Sequence, residues 1–419
     1  MEVYKFGGAS VKDAAGVRNL ANIIARNQDK QLLIVVSAMG KTTNALEEIT
    51  AAYIRNDNSA HALLEDLREY HHQILTELFH DESHPVYDEI ANTFVEIEWM
   101  LEDEPHPDYH FNYDQIVSIG ELLSTRIVNA CLNLEGLSSV WLDARGLILT
   151  DNTYREGAID WARTCGAVEN TIPKLLKNHF VVTQGFIGGT SENFTTTLGR
   201  EGSDYSAAVF AACLKADRVT IWKDVPGVLN ADPKLFTDTH KYAELPYSEA
   251  MEMSYYGATV IHPKTIKPLQ SQNIPLLVKP FMAPEDPGTT ISADAIVNKE
   301  LPAIIVKHGQ VLASISTRDH SFVSEHQLSE IFKAFALANI KINVMQLSAL
   351  SFSACFDENK DKFKMLSLAL EATFKIRYNE GLQLITIRHY KPETVRQLSS
   401  GKTVMLEQLS RNTAQLVIR

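Results

Sequence analysis

The sequence contains few cysteines, and their arrangement is not typical of a metal site or a disulfide framework. Its 419 residues include only four, Cys131, Cys165, Cys213 and Cys355, and these are scattered without a paired spacing. The fourteen histidines form no HExxH-like ligand pattern. We therefore expect reduced thiols, as in cytosolic proteins, and no structural zinc.

Long hydrophobic runs are also missing. No apolar stretch approaches the ~20 residues that span a bilayer. No basic segment followed by an apolar one precedes Val3, as it would in a secretory leader. We expect a soluble, cytoplasmic protein with no membrane partner. Because 419 residues exceed what one hydrophobic core usually serves, we also expect two or three domains.

Positive charge is nearly absent from residues 57–108. This segment has fifteen Asp or Glu residues and one basic residue, Arg68, a balance of −14. The formal net charge of the chain is −13, so the remainder carries −13 less −14, or +1, and can bind an anionic ligand. Apolar residues recur every three or four positions on both sides of "DESHP", which predicts an inserted helical hairpin. Its acidic surface is either a solvated face or a lid or subunit contact beside the substrate site.

Apolar runs alternate with helix-like segments through the first three hundred residues. The run "DAAGVRNLANIIARN" has helical spacing, with Asp13 as its N-cap. Such alternation predicts an α/β domain with a mostly parallel sheet between helices. The predicted strands lie in residues 3–6, 31–37, 138–144, 179–186, 218–224 and 274–280.

The pattern changes near residue 300, after the turn-rich "PFMAPEDPGTT". "VLASISTRD", a helix over 325–338 and "KINVMQLSALSFSACFD" predict strand, helix, strand, strand, with a helix and a strand following through residue 378. "LQLITIRHY" and "LEQLSRNTAQLVI" form a weaker copy that shares Gln-Leu-Ser with the first. From strand start to that tripeptide is 35 residues in the first copy (311 to 346) and 26 in the second (382 to 408). The second copy is therefore expected to lack most of a helix.

Three polar glycine loops follow predicted strands. They are "KFGGAS", "SAMGKTTN" and "TTTLGREGSDYSA". Glycine lets backbone amides approach an anion without interference from a Cβ atom, and a helix N-terminus adds favourable partial charge. The carboxyl ends of parallel strands meet at one sheet edge, where ligands bind. A tight turn would explain one such loop, but three together indicate a phosphate site.

These loops, with "SIGELLS", "TQGFIG", "DVPGVLNADP" and "YYGATVIHP", resemble the aspartate kinases of the amino-acid kinase superfamily. The motifs occur in that family's order over residues 3–263. The resemblance implies an amino-acid kinase fold over residues 1–295. The C-terminal pair resembles the ACT modules that bind feedback amino acids, and implies an α+β, ferredoxin-like region over 302–419 with a shortened second module.

The resemblance also implies a reaction and a set of site residues. The reaction is transfer of the ATP γ-phosphate to the side-chain carboxylate of L-aspartate, with Mg²⁺, as the first step towards lysine, threonine and methionine. Lys5 and Asp204 are the implied catalytic residues. The substrate-side positions are Ser37, Thr43, Glu121, Phe186, Arg200 and Ser203. The nucleotide-side positions are Lys5, Gly7, Gly8, Gly202, Lys223, Asp224, Leu229, Asp232 and Lys234.

Four positions depart from the family pattern. Ala9 stands where the family usually has threonine. On the nucleotide side, Lys223 replaces a usual Thr or Ser, Leu229 a usual Tyr, and Thr259 a usual Lys. Lys223 or Lys264 could restore the missing charge, so we expect ATP to be held chiefly by its phosphates.

Other interpretations remain open. Asp204 could be a helix cap, Glu121 a first-turn acid and Arg200 a surface residue. The chain could phosphorylate glutamate or acetylglutamate, or be a catalytically silent regulatory paralogue that binds amino acids through its C-terminal half. A homodimer through the ACT-like modules is the expected assembly, a feedback amino acid is possible, and no nucleic-acid partner is expected.

Overall fold

The computed structural model describes residues 1–258, 261–319 and 321–419, in which two compact units are present. The first comprises residues 1–228, 241–251 and 261–297. The second comprises residues 298–419 together with two short segments, 229–240 and 252–258. The division into functional domains at 1–295 and 302–419 stays a prediction. Thr259, one of the predicted departures, lies outside the described residues.

The first unit is built around an eight-stranded sheet of order β3-β4-β2-β1-β7-β9-β10-β8 within the described residues. All neighbours are parallel except β9 and β10. Every residue of β2 is buried, as expected for a strand covered on both faces. The predicted α/β alternation is confirmed. The strands, with a separate β5–β6 pair, are β1 Glu2–Phe6, β2 Leu32–Val36, β3 Ser139–Leu142, β4 Phe180–Gln184, β5 Ile187–Gly189, β6 Thr195–Thr197, β7 Arg218–Lys223, β8 Glu244–Pro246, β9 Leu276–Pro280 and β10 Thr289–Ser292.

Helices connect these strands, and several of them begin at a side-chain N-cap. Asp13 caps α1 as predicted, since its Oδ1 accepts a hydrogen bond from the Gly16 N–H at 2.8 Å. A short 3₁₀ turn spans Ala144–Gly146. The α-helices are α1 Ala14–Ala25, α2 Thr42–Ile54, α3 Ser59–Leu78, α4 Val86–Glu102, α5 Tyr109–Val117, α6 Ile119–Leu134, α7 Trp161–Leu175, α8 Gly202–Leu214, α9 Tyr247–Tyr256 and α10 Pro263–Ser271.

The acidic segment forms the predicted helical hairpin, α3 and α4. Apolar residues at helical spacing are buried in both helices, among them Leu64 and Phe94. His71 is completely buried, and its Nδ1 lies 2.8 Å from the Leu67 carbonyl oxygen. Burial lowers the pKa of His71 to about 4, so the ring is neutral at physiological pH.

The second unit contains a six-stranded antiparallel sheet of order β12-β13-β11-β14-β16-β15. Its two long central strands pair along both halves: Ala303–Lys307 with Leu384–Arg388, and Leu312–Thr317 with Phe374–Asn379. Both sequence copies therefore share these strands. The helix of the second copy is present but short, eight residues against thirteen. The elements are β11 Ala303–Thr317, α11 Glu325–Leu337, β12 Ile342–Leu347, β13 Ser351–Asp357, α12 Lys360–Leu370, β14 Phe374–Arg388, α13 Pro392–Ser399, β15 Val404–Leu409 and β16 Thr413–Ile418.

The expectation that all cysteines are reduced was wrong for one pair. Cys165 of α7 and Cys213 of α8 form a disulfide with an S–S distance of 2.04 Å. Packing of α7 against α8 brings together two residues 48 positions apart. A pairing over this distance cannot be predicted from the local spacing of cysteines. Cys131 and Cys355 are buried, free thiols. Among the described helices, none is both long enough and apolar enough to cross a bilayer.

Candidate active site

A buried ion pair joins the first strand to the third glycine loop. Lys5 of β1 places its Nζ 2.6 Å from Oδ1 of Asp204, which lies in the first turn of α8. Asp204 is fully buried. Burial alone would raise the pKa of its carboxyl, but Lys5 and then Lys223 hold that pKa below its ordinary value. Asp204 is therefore an anion that holds the lysine in place.

The first two glycine loops are bonded to each other. The Gly40 N–H donates to the Gly8 carbonyl oxygen at 3.0 Å, and the Ser37 N–H donates to the Phe6 carbonyl oxygen at 3.0 Å. A Cβ atom at Gly8 would lie 2.5 Å from the Ala38 carbonyl oxygen, which is closer than a side chain allows. The loops form a bare backbone surface beside Lys5, as an anion cradle requires.

The third loop approaches the turn after β4 just as closely. A Cβ atom at Gly202 would lie 2.6 Å from Cδ2 of Phe186, and one at Gly185 would lie 2.6 Å from Cβ of Ser203. Phe186 has a φ of +72°, an uncommon conformation for a side chain of this size. These glycines bring Phe186 and the N-terminus of α8 to one side of the site.

Glu121 is a buried carboxyl in the first turn of α6. Gly120 allows α6 to approach α2, since a Cβ atom there would lie 2.9 Å from Cγ2 of Thr42. Burial raises the pKa of Glu121 to about 8, against the opposing effects of the Lys5 charge and a hydrogen bond from the Ala38 backbone. Its Oε2 has no hydrogen-bond partner among the residues that the structure describes. A buried acceptor of this kind fits a donor or cation supplied by a ligand.

Lys5, Asp204 and Glu121 line one cavity of about 890 Å³. The exposed Arg200 also lies on its wall. Of the predicted site residues, the cavity brings together Lys5, Gly8, Ser37, Thr43, Glu121, Phe186, Arg200, Gly202, Ser203 and Asp204. It therefore combines an anion cradle, a buried acid and a cation in a volume suited to small ligands.

The chain is similar to known proteins over most of its length. The amino acid kinase family model matches residues 1–280. Lysine-sensitive aspartokinase 3 of Escherichia coli is 30% identical over 395 residues, covering 92% of this chain and 86% of that protein. The chain belongs to the amino acid kinase family, among the aspartokinases. Aspartokinase 1 of Arabidopsis thaliana is 32% identical and covers 85% of this chain and 63% of its own length.

Other relatives of this amino acid kinase are longer. The bifunctional aspartokinase/homoserine dehydrogenase of Daucus carota is 29% identical over 90% of the chain, which spans only 42% of that protein. Among solved structures, E. coli aspartokinase III in complex with aspartate and ADP superimposes with a TM-score of 0.84 and 26% identity, covering 100% of this chain and 96% of that one. The same enzyme in complex with lysine and aspartate gives a TM-score of 0.82 and 27% identity, covering 100% and 95%.

Six predicted nucleotide-side residues do not line the cavity of this kinase. Gly7 lies in the first loop, and Lys223 contacts Asp204 from the end of β7. Asp224 follows Lys223. The other three, Leu229, Asp232 and Lys234, belong to the segment 229–240 of the second unit, where Asp232 Oδ1 accepts a hydrogen bond from the Lys234 N–H at 2.9 Å.

Sequence reasoning missed an aromatic and charged wall of the cavity. The Tyr113 hydroxyl donates to Glu47 Oε1 at 2.6 Å, and the Arg155 guanidinium lies 4.1 Å from the centre of the Tyr113 ring. Buried Asp114 orders this wall by accepting hydrogen bonds from the backbone N–H groups of Arg155 and Thr197, both at 2.8 Å. The sequence signal for this wall was Asp114 beside the aromatic Tyr113, shortly before "SIGELLS".

The residues present fit a nucleotide's phosphates better than a metal held by protein alone. The glycine cradle excludes side chains, as phosphate binding requires. Among the described residues, no group of three or more His, Cys, Asp or Glu side chains is placed to hold a metal ion. Mg²⁺ usually binds through substrate phosphates with one or two carboxylates, so such an ion fits here together with a nucleotide.

Proposed function

We propose that this protein is an ATP:L-aspartate 4-phosphotransferase that forms 4-phospho-L-aspartate, the first step towards lysine, threonine and methionine. The observation that carries the proposal is one cavity that contains the Lys5–Asp204 ion pair, the buried Glu121 and Arg200. The chain's membership among the aspartokinases supports the same reaction.

The two ends of aspartate match groups of opposite character in the cavity. Glu121 binds the α-ammonium group, whose charge favours the ionised form of this otherwise protonated acid. Arg200 binds the α-carboxylate through a bidentate contact. Ser37, Thr43, Phe186 and Ser203 complete this substrate side. The side-chain carboxylate is then left directed towards Lys5.

Phosphoryl transfer needs positioning and charge neutralisation, because the aspartate carboxylate is already ionised and nucleophilic at neutral pH. Lys5 contacts the transferring phosphoryl group and neutralises the charge that develops on its oxygens. Asp204 keeps Lys5 oriented. The backbone around Gly7, Gly8 and Gly202 holds the phosphates, and Mg²⁺ bound with the nucleotide would supply further charge neutralisation.

The C-terminal unit is proposed to serve assembly and regulation. Its antiparallel sheet has two edge strands, β12 and β15, which suit pairing with a second copy of the chain. E. coli aspartokinase III is described in complex with lysine, and a feedback amino acid is proposed here by that likeness. We place the enzyme in the cytoplasm.

The test is a coupled assay of ADP release with Mg-ATP and either L-aspartate, L-glutamate or N-acetylglutamate. Aspartate should be used far better than the other two. Lys5→Ala should lower turnover by on the order of 10² or more while the protein remains folded. Lys177→Ala, which removes an exposed lysine of the same unit, is the matched control and should retain activity. Equal use of glutamate would overturn the substrate, and no ADP release would favour a silent regulatory paralogue.

A further inference from the structure

The buried carboxylate of Asp204 is shared by two lysines from neighbouring strands. Lys5 Nζ lies 2.6 Å from Oδ1, and Lys223 Nζ lies 3.2 Å from Oδ2. Strands β1 and β7 are parallel, with Phe6 opposite Trp222. Lys223 therefore follows the paired segment at the level of Gly7, at the carboxyl edge of the sheet where the glycine loops meet.

The ion pairs of Asp204 with described residues bring more positive than negative charge together. Two ammonium groups face one carboxylate, an excess of one positive charge, and both lysine side chains are largely shielded from water, at 9% and 18% exposed. Glu121 also interacts with Lys5, but burial raises its pKa to about 8 and keeps it mostly protonated at neutral pH. An anion at this edge of the site would balance the excess, since charges away from water need an opposite charge nearby.

We propose that Lys223 is a second phosphate-binding lysine, held by Asp204 so that it contacts the polyphosphate of a bound nucleotide alongside Lys5. The inference rests on the proposed function. It gives a physical role to a residue that stands where related kinases usually have a small hydroxyl side chain. Because Lys223 recognises phosphate and not the base, adenine and guanine nucleotides depend on it equally.

Calorimetric titration of the whole protein with ADP, GDP and a non-hydrolysable ATP analogue tests this role. Lys223→Met keeps the length of the side chain and removes its charge. It should raise the Kd of all three nucleotides by about tenfold or more, lower kcat, and leave the KM for aspartate within about threefold of wild type. Lys177→Met removes an exposed charge of the same unit and should leave the three Kd values unchanged. Lys223→Arg should restore binding to within about fivefold.

Unchanged nucleotide affinity in Lys223→Met would overturn the inference, even with a lower kcat, because Lys223 would then only support Asp204. If that variant fails to fold, Lys223→Thr, which carries the residue type usual in relatives, is titrated in the same way. Unchanged nucleotide affinity in that variant would likewise overturn the inference. The outcome is independent of the substrate. If the wild-type protein binds nucleotide but does not phosphorylate aspartate, the proposed function fails while the titration still decides the role of Lys223.

Discussion

At the scale of single residues, the two glycines of the first loop differ in what their positions allow. A Cβ atom at Gly8 would lie 2.5 Å from a backbone oxygen of Ala38, whereas one at Gly7 would meet only Lys5 Nζ at 3.5 Å. We predict that Gly8→Ala lowers the free energy of unfolding by about 1–3 kcal/mol, because backbone must move. Gly7→Ala should change it by about 0.5 kcal/mol or less. Urea denaturation of both variants measures the free energy of unfolding. If Gly8→Ala lost as little as Gly7→Ala, the first two loops could move apart without loss of stability.

The second residue-scale prediction concerns the pH dependence of Glu121. Its pKa is about 8 in the folded protein, against ~4.3 in an unfolded chain. Between these values the folded protein keeps a proton that the unfolded chain has lost, so the contribution of Glu121 makes unfolding easier as pH rises from about 4.3 to 8. Glu121→Gln cannot titrate, and its stability relative to wild type should therefore increase across this window.

The same ionisation should appear in substrate binding. If Glu121 binds the ammonium group of aspartate as a carboxylate, binding below pH 8 releases a proton, and affinity should rise with pH and level off above about 8. Titrations in buffers of different ionisation enthalpy count the protons released. An identical pH profile in wild type and Glu121→Gln would show that another group titrates.

At the scale of elements, Tyr70 of α3 in the acidic hairpin contacts the second glycine loop and the backbone just after the first glycine loop. The Tyr70 hydroxyl donates to the Lys12 carbonyl oxygen, and it lies 2.7 Å from where a Cβ atom at Gly40 would be. Gly40 has a φ of +54°, which together with this contact favours glycine. The hairpin therefore contacts the second loop directly. Because the contact is made by an uncharged hydroxyl, both interpretations of the acidic surface stay predictions.

We predict that Tyr70→Phe lowers kcat/KM about five- to tenfold while costing at most about 1 kcal/mol of stability, because one hydrogen bond to a loop backbone is lost. Tyr87→Phe is the matched control: its hydroxyl donates to the Phe79 carbonyl oxygen at 3.0 Å within the hairpin itself. That variant should lose similar stability and keep its activity. Steady-state kinetics and thermal unfolding of both variants would contradict the prediction if their activities fell equally.

Elements with a local signal could be predicted from the sequence, and contacts between distant elements could not. The apolar run of β2, the Asp13 cap and the hairpin period are encoded within a few neighbouring residues. The Tyr113–Glu47 pair and the disulfide depend on helix packing between residues 66 and 48 positions apart. Likewise, the sharing of β11 and β14 by both repeats requires pairing across the whole second unit. The three glycine loops could be predicted because the residues that form each loop are adjacent in the sequence.

At the scale of the whole molecule, the six-stranded sheet ends in two strands with exposed apolar side chains. Leu347 on β12 and Leu409 on β15 are each 53% exposed, and Met345 and Met405 are exposed on the same two strands. Edge strands offer unpaired backbone groups to a partner, and natural monomers usually protect them with charge or proline. Strand β12 contains no charged residue or proline, and β15 contains one charged residue, Glu407, and no proline. This arrangement fits the proposed pairing of two copies of the chain.

We predict that the protein is a dimer in sedimentation equilibrium, and that the double variant Leu347→Lys and Leu409→Lys is a monomer at the same concentration. Charges on both edges oppose strand pairing between copies and leave the interior of each sheet intact. Leu337→Lys, on exposed residue 337 at the end of α11, adds a charge to the same unit on a helix and not on an edge strand, and should remain dimeric. Each single variant then identifies which edge forms the contact. A monomeric wild type, or a double variant that stays dimeric while folded, would show that these edges do not assemble the protein.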